Sequence, residues 1–372
     1  MSIRSEHQAA LRRQYADWAR THVAPQAESL DSSNQFNHLA WQDLTQKGFW
    51  EPLIDSDQPD VWWDFVACAQ GMASTALDSG FMLTLVAQAA WIRAVHRFAS
   101  EHQKQVLIPL LRGGALTAVG IAEPHGGTDA FSAETSMEDQ GEHWIATGEK
   151  TNIAHGPTAR LLLVTGKAQG SGKLTALVLE APQPGISALP PDEKMGMRTL
   201  PTSSLVLKVA EGMCLGGKDQ GRNVLHHIGL FARATYGLLL SQLPLPVLDE
   251  TLGWLSDRHS LGIPLSSHQH VQRHLSDIDV ALQTMESVSM DAMRHVMNQT
   301  PEATRMASVA KIYSCQAFLD AMTSLCALQG SMGYQRGAAE RLLRDAHGWR
   351  NVGGTEEMHR LILAQNRLSH PR

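Results

Sequence analysis

Residues 123–129, Glu-Pro-His-Gly-Gly-Thr-Asp, combine groups that can bind an anion or a ring carbonyl. A Gly-Gly-Thr turn after a strand exposes backbone N–H groups beside a hydroxyl, and such a concave turn suits phosphate or a carbonyl oxygen. The same residues could also form an ordinary β-turn. The segment alone therefore leaves a binding site and a plain turn as equal alternatives.

A second glycine-rich segment, residues 166–173, looks like a phosphate-binding loop but has the wrong spacing. Such a loop has four residues between its first glycine and the Gly-Lys pair, and then a serine or threonine. Here the interval is five residues, and Leu174 follows the lysine. The segment also lies between two predicted strands, so it is interpreted as a flexible hairpin turn.

The histidines do not have the spacing of metal ligands. His226 and His227 are adjacent, and His268 and His270 lie two residues apart. A pair of ligands on a helix needs a spacing of four residues and further partner ligands. No Gly-x-Ser-x-Gly motif occurs either, so the sequence does not support a serine hydrolase. We expect no metal site.

The composition is that of a globular protein with a large core: 372 residues, 43% apolar and 18% charged. The net charge of -6, without a basic block, argues against nucleic acid and anionic membranes as partners. No apolar stretch is long enough for a membrane span, and the N-terminus lacks the apolar core of a signal peptide. Four scattered cysteines without a CxxC motif predict reduced thiols and a cytoplasmic protein.

The first region, from Glu6 to about Leu111, has helical periodicity and few glycines. One helix carries an apolar stripe, and Arg93 and Arg97 lie off that stripe. The members of the stripe are Met82, Leu85, Val86, Ala89 and Ile92.

The middle region changes to short apolar runs separated by turns, which predicts a compact β domain. From about Arg222 the helical period returns, and long amphipathic helices joined by short turns predict a bundle. The order of helices, strands and helices is that of an α+β protein. The predicted strands cover residues 143–148, 160–164, 174–179 and 204–209, and the predicted domains cover residues 1–114, 115–215 and 216–372.

The segment 123–129 resembles the Glu-Pro-x-x-Gly-Ser-Asp signature of the acyl-CoA dehydrogenase family. Other stretches resemble motifs of this family in the same order along the chain. They are Gly148–Ile153 (Gly-x-Lys-x-aromatic-Ile), Lys194–Arg198 (Lys-Met-Gly-x-Arg), Arg258–Gln269 (Arg-x-x-Phe-Gly-x-x-Leu, then Gln), Gly330–Tyr334 (Gly-Gly-x-Gly-Tyr), and Arg344–Ala346 with Gly353–Glu357 (Arg-Asp-Ala, then Gly-Thr-x-Glu). Because the matches span nearly the whole chain, the protein is identified as a member of the family.

The resemblance implies an N-terminal helical domain, a middle β-barrel or sandwich and a C-terminal four-helix bundle. It also implies one FAD per subunit of a homo-oligomer, a dimer or a tetramer, with Arg258 and Gln269 reaching the FAD of the neighbouring subunit. The substrate would be a small acyl thioester of CoA or of a carrier protein, and an acceptor flavoprotein could take the electrons. The residues that would bind the cofactor are Gly127, Thr128, Ala154, Arg258, Gln269, Gly330, Thr355 and Glu357.

The sequence departs from the family at the catalytic base. The family reaction removes an α-proton with a carboxylate while the flavin takes a hydride from the β-carbon. That carboxylate lies either before the Gly-Thr of the closing loop, here Gly353, or on the first C-terminal helix, here Ala234 or, with a gap, Ala232. Both positions lack an acid, and the catalytic residue is unknown. The acids nearest to the loop are Asp345, Glu356 and Glu357, and none of them is predicted as the base. Glu356 and Glu357 would instead contact FAD or solvent.

Three positions on the flavin side also differ from the family. Asn152 replaces an aromatic residue that usually shields the ring, Ala154 replaces a hydroxyl residue, and Ala122 replaces a threonine. Two hydrogen-bond donors to the flavin are thus missing, each typically contributing ~1 kcal/mol. These changes predict weaker FAD binding or a flavin with altered reactivity.

Three functions remain open. The first is a specialised dehydrogenase in which another group or water removes the α-proton of an activated acyl thioester. The second is a flavin monooxygenase on the same fold, which would consume oxygen with reduced flavin. The third is a non-redox subunit for binding or assembly, which would purify without FAD or with FAD that no thioester reduces.

Overall fold

The structure, a computed structural model, describes residues 3–126, 132–141 and 143–369. The N-terminal region is helical. Its last helix begins with a capping box between Ser100 and Gln103 and ends at Gly113, where the sequence predicts the end of this region. The helices are α1 (Ile3–His22), α2 (Ala27–Ser33), α3 (His38–Gln46), α4 (Glu51–Asp55), α5 (Pro59–Ala76), α6 (Ser79–Phe98) and α7 (Glu101–Arg112).

Helix α6 lies at the centre of this region. The predicted stripe is confirmed, because each of its five apolar residues is at most 1% exposed. Arg93, which lies off this stripe, is nevertheless only 7% exposed, whereas Arg97 is exposed. The reason is that α6 contacts α5 and α7 as well as elements of the other two regions, so a position off the main stripe still faces protein.

The middle region is a sheet of seven strands in the order β1-β4-β2-β3-β7-β5, with β6 paired to β7. Strand β4 also pairs with β5, so the strands β4, β2, β3, β7 and β5 close into the predicted barrel. The strands are β1 (Thr117–Gly120), β2 (Ser136–Asp139), β3 (Trp144–Ala154), β4 (Leu161–Ala168), β5 (Leu174–Glu180), β6 (Ile186–Ala188) and β7 (Thr202–Cys214).

The four predicted strands are confirmed as β3, β4, β5 and β7. Strands β4 and β5 pair in antiparallel fashion from Leu161 with Glu180 to Lys167 with Leu174, so the glycine-rich segment 166–173 contains the expected hairpin turn. Apolar side chains fill the barrel, among them Met137, Leu162 and Leu205.

The C-terminal region is again helical. Helices α8, α10 and α11 pack on one another, and α12 and α13 pack on α11. None of the described helices is long and apolar enough to span a bilayer. The elements are α8 (Gly221–Leu240), α9 (Leu245–Asp257), the strand pair β8 (His259–Ser260) and β9 (Ile263–Pro264), α10 (Gln269–Met297), α11 (Ala303–Leu328), α12 (Ala338–Trp349) and α13 (Glu356–Ser369). The domain boundaries after residues 114 and 215 stay predictions.

A buried carboxyl on α12 joins the three regions. Asp345 is 3% exposed, and its Oδ1 accepts a hydrogen bond of 2.5 Å from the backbone N–H of Met197. Burial, together with the charges of Asp78 and Asp31, raises the pKa of Asp345 to about 7 against the effect of that hydrogen bond. The Lys-Met-Gly-Met-Arg and Arg-Asp-Ala motifs therefore meet in one structural contact.

This contact predicts a pH-dependent effect of the substitution Asp345→Asn. Between about pH 4 and pH 7 the folded carboxyl keeps a proton that the unfolded carboxyl has lost. Its contribution to the free energy of unfolding therefore rises as the pH falls through this window, by up to ~1.4 kcal/mol per pH unit. We expect D345N to be more stable relative to the wild type at about pH 8 than at about pH 5. Urea unfolding at a series of pH values measures this difference, and a constant difference would contradict the assignment.

Candidate active site

A buried ion pair fastens both ends of the segment that carries the Gly-Gly-Thr turn. Lys150 Nζ lies 2.6 Å from Glu123 Oε1, and the two side chains are 0% and 6% exposed. The same carboxylate accepts the backbone N–H groups of Glu134 at 2.5 Å and Thr135 at 3.2 Å. Burial alone would raise the pKa of Glu123, but these hydrogen bonds hold it below its ordinary value.

Residues 127–131 lie between these anchored ends and outside the described residues. The predicted cofactor residues Gly127 and Thr128 are therefore not described. The structure describes the two ends of this segment. Glu123 precedes it, and Glu134 and Thr135, whose N–H groups the Glu123 carboxylate binds, follow it.

The closing loop has no room for a side chain at its usual base position. Gly353 has a φ of 70° and Gly354 a φ of 103°, in the left-handed region that favours glycine. A Cβ atom on Gly353 would lie 2.9 Å from Cε2 and 3.1 Å from the hydroxyl of Tyr236. That ring is buried and packs edge-on against Trp349 at 5.2 Å. The ring of Tyr236 thus occupies the space that a carboxylate side chain would need.

The alternative base positions on α8 are buried alanines, with Ala232 6% and Ala234 0% exposed. Between them, Arg233 Nη1 donates a hydrogen bond of 3.3 Å to the carbonyl of Gly353. Its Nε has no acceptor among the described residues, and burial lowers the pKa of Arg233. The closing loop and α8 therefore meet, but a cation lies at their junction instead of a carboxylate.

The acids closest to the loop are engaged elsewhere. Glu356, expected to contact the cofactor or solvent, is 5% exposed and accepts two hydrogen bonds from Arg350, at 2.7 Å and 3.3 Å. These bonds lower the pKa of Glu356. Glu357 is exposed on the first turn of α13, and Asp345 belongs to the contact with Met197. Glu356 and Asp345 are thus held by other groups, and Glu357 lies at the surface.

A buried histidine that the sequence did not suggest supports the closing loop. His359 is 1% exposed, with Nε2 lying 3.2 Å from the Gly353 carbonyl and Nδ1 lying 3.1 Å from the Ser308 hydroxyl. Burial, helped by the charge of Arg233, lowers the pKa of His359 to about 4. The ring is therefore neutral near pH 7 and donates to one of these partners. The sequence offers one signal for this role, which is the position of His359 one turn after the start of α13.

The predicted residues around the flavin ring lie at the end of β3 and the start of α13. Ala154 is half-buried at the last position of β3. Asn152 is exposed and has a φ of 55°, at an irregularity in the pairing of β3 with β7. Thr355 is half-buried before α13, and its hydroxyl accepts the N–H of Met358 at 3.5 Å. The methyl side chain of Ala154 cannot donate a hydrogen bond, as the sequence predicts.

Three further predicted residues are exposed at one end of the C-terminal helices. Arg258 follows α9, where its guanidinium stacks on Trp254 at 4.7 Å, and its carbonyl accepts the N–H of Leu265 at 2.7 Å. Gln269 begins α10, and Gly330 follows α11 with a φ of 60°. This exposure is what groups need if they bind a cofactor held by another chain. Within the described ranges, no cluster of His, Cys, Asp and Glu could hold a metal ion.

Comparisons with known proteins cover the whole architecture. The chain is 26% identical to a probable acyl-CoA dehydrogenase of Bacillus subtilis, over 98% of each chain. The solved structure of a prolyl acyl carrier protein oxidase superposes with a TM-score of 0.89 at 24% identity, covering 96% of this chain and 98% of that chain. A structure of PigA with FAD and proline superposes with a TM-score of 0.89 at 17% identity, over 98% of each chain.

The sequence profiles of one family match all three regions. The N-terminal, middle and C-terminal domains of acyl-CoA dehydrogenase match residues 5–115, 118–210 and 243–368. Together these matches include nearly every element described above. The chain belongs to the acyl-CoA dehydrogenase family.

Proposed function

We propose that this protein is an FAD-dependent oxidoreductase that introduces a double bond between the α- and β-carbons of a small acyl thioester. The observation that carries the proposal is the meeting of the closing loop with α8, where Arg233 binds the Gly353 carbonyl. This is the place to which the family resemblance assigns the catalytic base. The chain retains that junction but not the carboxylate.

The residues around this junction fit an FAD. Tyr236 and His359 fill the Cβ side of glycines 353 and 354, but Gly353 is exposed, so a flat ring system can approach this backbone from the opposite side. Beside them, Arg233 has an Nε without an acceptor among the described residues. Thr355 and Ala154 would lie near the ring, with Gly127, Thr128 and Glu357 as further contacts. When bound, FAD supplies the acceptor for the hydride that leaves the β-carbon.

Without a carboxylate, proton removal depends on the substrate and on the charge of the site. The cation of Arg233 lies at the junction and stabilises negative charge that develops on the thioester as the α-proton leaves. Water or another group takes the proton. An acyl group whose α-proton is already acidic suits such a site.

The thiol carrier is CoA or a carrier protein. Similarity to the probable acyl-CoA dehydrogenase of Bacillus subtilis supports CoA, and similarity to the prolyl acyl carrier protein oxidase supports a carrier protein. Both thiol carriers are consistent with a small acyl group. An acceptor flavoprotein would reoxidise the FAD.

We propose a homo-oligomer, a dimer or a tetramer, in which Arg258, Gln269 and Gly330 reach the FAD of a neighbouring subunit. The surface around them is unusually apolar for an exposed one. Leu261 is 93% exposed and Tyr334 is 92% exposed. Burying such side chains against another subunit would be favourable.

A flavin monooxygenase is the second candidate function. The observation that favours it is that none of Gly353, Ala232 and Ala234 is an acid, and that Tyr236 blocks the loop position. Oxygen chemistry at a reduced flavin needs no carboxylate base there. Such an enzyme would consume oxygen in the presence of a flavin reductant.

The test is an anaerobic titration of the purified holoenzyme with acyl-CoA and acyl-carrier thioesters, followed by the flavin absorbance. We expect at least one thioester to bleach the flavin band, with the enoyl product seen by mass spectrometry. Bleaching by none, together with thioester-dependent oxygen uptake by pre-reduced enzyme, would replace the first function with the second. Protein that contains no FAD and does not bind added FAD would exclude both.

A further inference from the structure

Helix α6 carries a buried cation for which the described residues supply no counter-ion. Arg93 is 7% exposed, and the described residues give its guanidinium neither an ion pair nor a hydrogen bond. Its Nε is fully enclosed and has no acceptor among them. Burying an unpaired charge is costly, and proteins rarely do so unless a partner is supplied.

Two aromatic rings hold this guanidinium in place. Its central carbon lies 5.1 Å from the ring centre of Trp62 on α5 and 4.9 Å from that of Phe231 on α8. The two rings lie 5.5 Å apart and meet edge to face. Contact with aromatic faces stabilises a guanidinium but uses none of its N–H groups. The guanidinium can therefore still donate to a planar anion through its Nη groups.

No carboxylate among the described residues takes this role. Asp57 is close enough to raise the pKa of Arg93, although burial lowers it more strongly. However, Asp57 Oδ1 accepts the indole N–H of Trp62 at 2.9 Å, and the carboxylate itself is exposed. The other ionisable neighbours are basic: burial first, and then the charge of Arg93, lower the pKa of His227 to about 4, with a smaller effect from Arg97. The surroundings thus favour an added negative charge.

The cation lies beside the proposed reaction site. Phe231 directly precedes Ala232, the α8 position at which a base is expected, and Arg233 on the same turn binds the closing loop. Successive residues of a helix point about 100° apart, so Phe231 with Arg93 and Arg233 with the closing loop lie on different faces of one turn of α8. An acyl chain that passes from the junction across Ala232, which lies between these faces, would meet this guanidinium.

We propose that Arg93 binds a carboxylate at the far end of the acyl group, so that the substrate is an ω-carboxyacyl thioester. This inference rests on the proposed function and adds the chemical class of the acyl group. A carboxylate matches the planar donor pair of a guanidinium. The phosphates of CoA or of a carrier arm are the other anions of such a substrate, but they are strongly hydrated, whereas Arg93 lies in the interior.

The test compares charged and neutral acyl groups of equal length. The holoenzyme is titrated by calorimetry with ω-carboxyacyl-CoA thioesters and with the unsubstituted acyl-CoA thioesters of the same chain length, in parallel with flavin bleaching. We expect at least one carboxyacyl thioester to bind about ten- to a hundredfold more tightly than its neutral counterpart, and Arg93→Met to abolish this preference. Unacylated CoA should bind R93M and wild type equally, because its phosphates do not reach Arg93.

The matched control is Arg97→Met, which removes an exposed arginine one turn further along α6 and should keep the preference. Arg93→Lys keeps the charge but not the planar donor pair, and we expect it to weaken the preference; this variant serves if R93M does not fold. Equal affinities for charged and neutral thioesters, or a preference unchanged in R93M and R93K, would overturn the inference.

The two proposals can fail separately. Tight binding of carboxyacyl thioesters that depends on Arg93, without any flavin bleaching, supports the inference and counts against the dehydrogenase function. Bleaching by neutral thioesters with no preference for charge leaves the function and removes the inference.

Discussion

Installing a glutamate at position 353 is expected to accelerate thioester-driven flavin reduction only when Tyr236 is replaced as well. For the double variant Gly353→Glu with Tyr236→Val we expect the rate of flavin bleaching to rise about 10²–10⁴-fold, the usual contribution of a positioned general base. The reason is geometric, since a Cβ atom at position 353 lies 2.9 Å from the Tyr236 ring in the native packing. Valine removes that ring.

Two further variants distinguish the steric effect of the new side chain from its action as a base. G353E alone should give no acceleration and should unfold at a lower temperature, because the new side chain meets a buried ring at a φ of 70°. The control Gly353→Gln with Tyr236→Val has the same space and size but no base, and it should remain slow. Stopped-flow absorbance with a single thioester measures all three. Equal rates in the Glu and Gln double variants would show that proton removal does not limit this enzyme.

The fold could be predicted because its elements obey simple periodicities. The strands β3, β4, β5 and β7 appear in the sequence as short apolar runs between turn residues, and the structure confirms them. The closure of the barrel is different. It depends on the pairing of β7 with both β3 and β5, and such contacts between distant residues leave no local pattern.

The composition of the site could be read from the sequence, but its packing could not. The missing acids at Gly353, Ala232 and Ala234 are visible as soon as the motifs are compared. Nothing in the sequence shows that Tyr236 fills the space beside Gly353, or that His359 supports its carbonyl. Both contacts join α8 or α13 to a loop, and their geometry follows from how these elements pack.

The position of Arg93 shows why amphipathic patterns fail for central helices. A stripe rule assigns residues off the apolar face to solvent, and it does so correctly for Arg97. It fails for Arg93 because Trp62 from α5 and Phe231 from α8 cover that side of the helix. A charged residue that is buried against such a pattern is a reason to look for a ligand.

Breaking the ion pair of Glu123 and Lys150 is expected to have the second large effect, a loss of stability. In Glu123→Gln the ammonium group of Lys150 stays 0% exposed but loses its counter-ion. Its remaining acceptors are neutral: the carbonyl of Ile121 at 3.3 Å and the amide oxygen of the new glutamine. Leaving one member of a buried pair without its partner costs about 3–5 kcal/mol, which we expect as the loss in free energy of unfolding, measured by urea denaturation near neutral pH.

The double variant Glu123→Gln with Lys150→Met decides whether this cost comes from the stranded charge or from the loop. Methionine fills much of the lysine volume without a charge, so the double variant should be more stable than E123Q. If the double variant is as unstable as E123Q, the main contribution of Glu123 is instead its bonds to the N–H groups of residues 134 and 135. In that case FAD affinity should fall in both variants alike, because the Gly-Gly-Thr segment would lose the anchor that joins its ends.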